Sequence, residues 1–172
     1  MKVLFLDIDG VLNSYQSATF WHNKRDQNKW ENELYEAWKG TLKEYLALEF
    51  CPIALSNLEE LCRRLPDLKI VVSSTWRLGE TVESLKKIFS ISSFISNAII
   101  DVTPRLMCNS DYAPVRGDEI KAWLNKHPDV TNYVIIDDDS DMLEIQKPHF
   151  VQISELHGFQ WIDMLKVKEI LL

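Results

Sequence analysis

At 172 residues and 46% hydrophobic content, the chain is long enough to bury the core of one compact domain and too short for two of full size. Its formal charge of −7, from 26 acidic and 19 basic residues, argues against a surface that attracts nucleic acid or anionic membrane indiscriminately, which leaves room for a local basic groove. Cys51, Cys62 and Cys108 form no CxxC pair and are odd in number, no stretch approaches the roughly 18 apolar residues of a membrane span, and the single Lys before VLFL makes no signal peptide, so the expectation is a soluble cytoplasmic protein without a disulfide framework.

Residues 2–6, KVLFL, are a continuous apolar run that stops at Asp7, the pattern of a strand buried on both faces. DIDGVLN then puts Gly10 where the chain must turn. Residues 14–50 carry Tyr15, Phe20, Trp21, Trp30, Tyr35, Trp38 and Tyr45 among charges, too long a connection to lack structure, and the segment is predicted to hold its own helices near 29–48. Pro52 followed by IALSNLEELCRRL reads as a helix ended by Pro66, and LKIVVSS (68–74) as a second buried strand. A helix suits 80–89 and a third strand 95–102. GDEIKAWLNKH (117–127) is a predicted helix stopped by Pro128, Tyr133–Ile136 a strand that runs into carboxylates, and the tail has a short apolar stretch at 150–153 and a helix over about 159–171. Short strands alternating with helices predict a mostly parallel sheet covered on both faces, with ligands beyond the carboxyl ends of its strands.

Three predicted strands end in groups suited to phosphate and metal chemistry: Asp7 and Asp9 after the first, Ser73 and Ser74 after the second, and Asp137, Asp138, Asp139 and Asp141 after the last. Taken singly, these are ordinary strand ends, a helix cap and an acidic turn. Brought to one edge of a parallel sheet, the carboxylates repel one another unless a cation joins them, and hard oxygen ligands suit Mg²⁺ better than zinc. His22, His127, His149 and His157 lack the spacing of a zinc site and read as surface or packing residues.

FLDIDGVLN resembles motif I of the haloacid dehalogenase (HAD) superfamily, in the form hhhhDxDG; VVSSTWR resembles motif II, and VIIDDDSDM motif IV. Read more narrowly, PIALSNLEELCRRLPDLKIVVSSTWR, RGDEIKAWL and YVIIDDDSDM are similar to the HAD-type domain of Swiss-army-knife RNA repair proteins. The resemblance implies a three-layer α/β sandwich with a parallel Rossmann-like sheet, as a single domain over 1–172 with a small helical cap inserted at about 14–50. It makes Asp7 the nucleophile and Asp9 the general acid and base, and it implies Mg²⁺ held by Asp7, the backbone carbonyl of Asp9 and a motif IV acid, Asp138 or Asp137 ahead of Asp141. Ser73 is the preferred motif II hydroxyl, with Ser74 close behind. Motif III is normally a lysine; the matching dipeptide is Arg116–Gly117, with Lys121 as the fallback. Gly10, Arg77 and Lys121 complete the candidate substrate-binding set, although Arg77 could equally stack on Trp76.

Members that act on carbon–halogen bonds lack the second aspartate, so Asp9 points to phosphoryl transfer. The resulting expectation is a Mg²⁺-dependent phosphate monoester hydrolase that acts through an aspartyl-phosphate, first on a nucleotide or nucleic-acid end and alternatively on a small phosphometabolite. The aromatic segment is either the core of a helical hairpin or a lid on which Trp21, Trp30 or Trp38 stacks a base. A regulatory or interaction module that binds phosphate and metal with weak turnover is the rival. Arg in place of Lys keeps that rival open, and the presence of both Asp7 and Asp9 speaks against it.

Overall fold

Four consecutive apolar residues place β1 (Lys2–Leu6) at the centre of the sheet, because Val3 and Phe5 face one side, Leu4 and Leu6 face the other, and all four are fully buried. The computed structural model describes residues 1–19, 50–110 and 112–172. The predicted helices near 29–48, with Phe20, Trp21, His22, Trp30, Tyr35, Trp38 and Tyr45, lie outside the described residues. β1 pairs in parallel with β2 (Leu68–Val72) on one side and β4 (Asn132–Asp137) on the other. With β3 (Ile99–Val102) beyond β2 and β5 (Phe150–Gln152) beyond β4, the order is β3-β2-β1-β4-β5, and every pairing is parallel.

Helices cover both faces. On one, α1 (Pro52–Arg64), α2 (Val82–Ile88) and α3 (Ser93–Ala98) set Leu58, Leu61, Leu85 and Ile95 against Leu4, Leu6, Ile70 and Val72. On the other, α4 (Arg116–Leu124) packs Ile120 and Trp123 against Val3, Phe5, Val71 and Ile135. The last helix, α5 (Trp161–Leu171), returns to the first face through Met164, Val167 and Leu171. The result is the expected three-layer α/β arrangement with a parallel sheet.

Local chemistry sets the ends of these elements. Pro52 sits in the first turn of α1 and Arg63 and Arg64 in its last, where cations suit the carbonyl end of the helix dipole. At α2, Thr81 Oγ1 accepts the Ser84 N–H at 3.1 Å and Ser84 Oγ accepts the Thr81 N–H at 2.9 Å, a reciprocal cap. The strand predicted over 95–102 is in fact two elements: Ser92 Oγ accepts the Ile95 N–H at 3.5 Å and starts α3, and only 99–102 pairs with β2. Ile95 and Ala98 are spaced i, i+3 and bury one helical face. β2 ends at Val72, before the predicted 74, because Ser73 and Ser74 leave the ladder and Ser74 caps a 3₁₀ turn at Thr75–Arg77. Helix α4 begins at Arg116 and ends at Leu124, three residues short of the predicted 127. Among the described residues no helix is long and apolar enough to cross a membrane.

Trp123 is the largest side chain through which α4 holds the sheet: it is 2% exposed, meets Phe5 edge-on at 5.4 Å between ring centroids, and donates from Nε1 to Asp101 Oδ2 at 2.7 Å. Trp123→Ala is expected to lower the free energy of urea unfolding by about 3–5 kcal/mol. Ile53→Ala, at a site that is 59% exposed on α1, should stay within about 0.5 kcal/mol of the starting protein.

Candidate active site

In a parallel sheet a crevice forms where successive connections leave a strand in opposite directions, and here that point lies between β1 and β4. The register carries Asp7 to it: its N–H donates to Ile136 O at 3.1 Å, while Ser73 and Ser74 donate from their N–H groups to Leu6 O at 2.9 and 3.3 Å. Asp137 is the last residue of β4. Carboxylate oxygens of Asp7, Asp137 and Asp138 consequently lie within 4.8 Å of one another, with Asp7 4% exposed and Asp137 fully buried. Gly10 permits this gathering. It has φ +73°, and a Cβ there would sit 2.3 Å from Asp138 Cγ, so any side chain would drive Asp138 away.

The cation that answers this charge is Arg116, at the first turn of α4. Its Nη1 donates to Asp7 Oδ1 at 2.7 Å and to Ser73 O at 2.5 Å, and its Nε stands 3.2 Å from Asp137 Oδ2. Asp141 fixes the helix start, accepting the Arg116 N–H at Oδ2 (3.1 Å) and the Gly117 N–H at its carbonyl (3.3 Å). Arg116 thus bridges Asp7 and Asp137. Lys121 is exposed further along α4 and does not line the cavity.

Burial pushes the Asp7 carboxyl up to about 6, against the opposing pull of Arg116 and of a hydrogen bond from the Ser74 hydroxyl. Burial, then the charge of Asp7, pushes Asp137 up to about 8, and burial also raises Asp138. Asp137 Oδ1 accepts the Asp139 N–H at 3.0 Å, whereas its buried Oδ2 has no hydrogen-bond partner, since the nearby Arg116 Nε lies outside hydrogen-bond geometry. A lone pair with no donor among the described residues, on one of three crowded carboxylates of which Asp7 and Asp137 meet the Arg116 guanidinium, fits a hard divalent cation.

Asp9 stands at the exposed mouth, where Oδ2 accepts Trp76 Nε1–H at 2.9 Å and Oδ1 accepts Asn13 Nδ2–H at 3.3 Å. The two serines divide differently from expectation. The Ser74 side chain lies on the Asp7 side, where it helps to lower the Asp7 pKa, and its Oγ accepts the Trp76 N–H at 3.4 Å, while the Ser73 hydroxyl is buried without a partner among the described residues and its carbonyl serves both arginines. Arg77, expected near the phosphate or stacked on Trp76, turns inward. It is 6% exposed and donates to Thr103 O (2.9 Å), Ser73 O (2.8 Å), Ser74 O (2.8 Å) and Glu119 Oε2 (2.5 Å). Because Glu119 lies on α4 one turn after Arg116, this pair braces the Arg116 helix against the loop after β2.

The cavity over the cluster has a volume of about 390 Å³ and is lined by Asp7, Asp9, Gly10, Asn13, Ser14, Tyr15, Ala18, Thr75, Arg116, Asp138, Asp139 and Glu155. Sequence reasoning missed Asn13, Trp76 and Thr75, although Asn13 follows the DxD by four residues and the other two adjoin the serine pair. Glu119 and Glu155 carried no local signal. His127 stacks on Trp123 and His149 on Tyr133, both away from the cluster, as expected of packing residues.

With a folded value near 8 against 3.8 unfolded, the native state binds the Asp137 proton more tightly, so stability from this group falls as pH rises through that window. In metal-free buffer at pH 8, Asp137→Asn is therefore expected to melt at least ~2 °C higher than the starting protein, with the gain shrinking as the pH is lowered toward 4, read by differential scanning calorimetry.

A family model described as the HAD domain in Swiss Army Knife RNA repair proteins matches residues 3–164 of the 172. No curated protein and no solved structure matches the chain. The match runs from β1 into α5 and takes in every strand and each side chain of the acidic cluster. On that extent, the chain belongs to the family of HAD domains found in Swiss Army Knife RNA repair proteins.

Proposed function

We propose that this HAD-superfamily hydrolase is a metal-dependent phosphate monoesterase with Asp7 as its nucleophile, acting on nucleotides or nucleic-acid ends. The observation that carries the reading is the placement of a buried carboxylate, Asp7, against Arg116 and Ser74, with a second, accessible carboxylate two residues on. A pure binder has no use for Asp9 held at the mouth by Trp76 and Asn13. The rival reading, a weakly active regulatory module, rested on Arg replacing Lys, and Arg116 makes the contact with the nucleophile that the lysine would make.

In the first half-reaction an Asp7 carboxylate oxygen attacks phosphorus as the bond from phosphorus to the leaving oxygen breaks, and Asp9, protonated, gives that oxygen its proton. In the second, Asp9 as carboxylate takes a proton from water, the water oxygen attacks phosphorus, and the bond to Asp7 breaks to release inorganic phosphate. Arg116 offers a planar fork to phosphoryl oxygens while holding Asp7, and the Ser74 hydroxyl orients the nucleophile. Asp7, Asp137 and Asp138, with the Asp9 carbonyl, are the groups that would hold Mg²⁺, which when bound lessens the repulsion between carboxylate and phosphate.

The family's description names RNA repair, which brings nucleic-acid ends forward as the substrate class ahead of small phosphometabolites. Residues 14–50 are proposed as the cap, and Tyr15 and Ala18 at the cavity wall support that placement. The three free cysteines suit a reducing compartment, and the cytoplasm is the proposed location.

Asp7→Asn should abolish turnover of an aryl phosphate with the circular dichroism spectrum unchanged; activity within tenfold of the starting protein would sink the nucleophile assignment. Asp9→Asn should lose about 10²–10⁴ in rate on a poor leaving group such as an alkyl phosphate, and an unchanged rate there would remove Asp9 from proton transfer. EDTA should abolish activity and Mg²⁺ restore it better than Ca²⁺, whose looser coordination suits the site less; metal-independent turnover would refute the assignment to Asp137 and Asp138.

A further inference from the structure

A second cavity, of about 430 Å³, adjoins the catalytic one, and Thr75 and Arg116 line both. It leads away from Asp7 between the turn after β2 and the segment before α4. Part of its wall is apolar and open: Met107 is 78% exposed, and Leu78 and Val115 are 37% exposed each. The acids beside it are already engaged, Glu119 by Arg77 and Asp141 by the Arg116 N–H. Arg105, by contrast, is exposed on this wall and makes no ion pair among the described residues. Arg105 thus sets a positive charge beside open apolar surface on a chain whose formal charge is −7.

We infer that this groove is a second subsite, which receives the nucleotide next to the scissile phosphate of an oligonucleotide end, its base against Met107, Leu78 and Val115 and its phosphodiester on Arg105. The inference rests on the phosphatase reading of the adjoining site. A ligand that suits this wall must be part apolar and part anionic, as a nucleotide with its linking phosphate is. A small sugar phosphate has a polar body and only the one phosphate that the catalytic site takes, so it leaves nothing for this wall, and the 390 Å³ catalytic cavity alone lies in the range that holds such ligands.

The test uses the full chain and its Arg105→Ala and Arg105→Glu variants with three substrates: an aryl phosphate, a nucleoside monophosphate, and a dinucleotide carrying a terminal 5′- or 3′-phosphate. The starting protein should prefer the dinucleotide to the mononucleotide by at least ~10-fold in kcat/KM. Arg105→Ala should remove most of that preference and Arg105→Glu all of it, both with aryl phosphate turnover within about twofold, and Arg105→Ala should lower the salt dependence of dinucleotide turnover by about one unit of slope. A preference that survives in Arg105→Glu, or no preference in the starting protein, overturns the subsite. If no phosphate is hydrolysed at all, the phosphatase reading fails on its own, and anisotropy of a fluorescent phosphorylated dinucleotide decides the groove: weaker binding to Arg105→Glu supports it, and equal binding overturns it.

Discussion

Asp7 and Asp137 are brought side by side by the register of β1 and β4, in a crevice that buries Asp137 fully and leaves Asp7 only 4% exposed. Like charges about 4 Å apart repel by roughly 4 kcal/mol at an effective dielectric of 20, so the crevice cannot hold both ions unanswered. Arg116 is the protein's own answer, and neighbouring features follow from the need to hold its guanidinium there. Asp141 pins the first turn of α4, Gly117 lets that turn lie against Leu143 and Gln146, and the Ser73 carbonyl aligns the fork.

Glu119 and Arg77 extend the same logic one layer back. A buried ion pair seldom adds much stability over a well-packed apolar pair, but breaking one is costly because it strands a charge. This pair ties three segments at once, since Arg77 holds the carbonyls of Ser73, Ser74 and Thr103 while Glu119 accepts the Leu106 N–H at 3.0 Å. The helix that delivers Arg116 is thereby registered against the loop that delivers Ser74. An arginine that reads from sequence as a candidate phosphate ligand is held in the frame around the acidic cluster.

Three strands were legible because each is a short apolar run that ends in a polar residue: β1 falls on KVLFL, β2 stops two residues short of the predicted 68–74, and β4 extends one residue beyond each end of the predicted Tyr133–Ile136. The strand-end positions of Asp7, Ser73 and Asp137 were legible for the same reason. Direction was not: once the chain leaves β2, a 3₁₀ turn decides that Ser74 faces Asp7 and Ser73 faces the interior, and period-two counting does not reach past the last ladder residue. The misread at 95–102 has a similar origin, because a buried two-turn helix and a buried strand present the same apolar letters. Partners far apart in the chain, such as Arg77 with Glu119, leave no local mark at all.

The central position of β1 has a consequence for how the chain is made. Lys2 pairs with Leu68 on one side and with Asn132 on the other, so β1 gains its second neighbour only after residues 132–137 have been made. At about 5–20 residues per second, a nascent chain needs on the order of 6–26 s to extend from β1 to β4. Throughout that interval Val3, Leu4, Phe5 and Leu6 have at most one neighbouring strand, and the open edge is an apolar template for pairing with other chains. Truncated products that end before residue 132 would keep that edge bare, which makes aggregation of incomplete chains a property of the strand order itself.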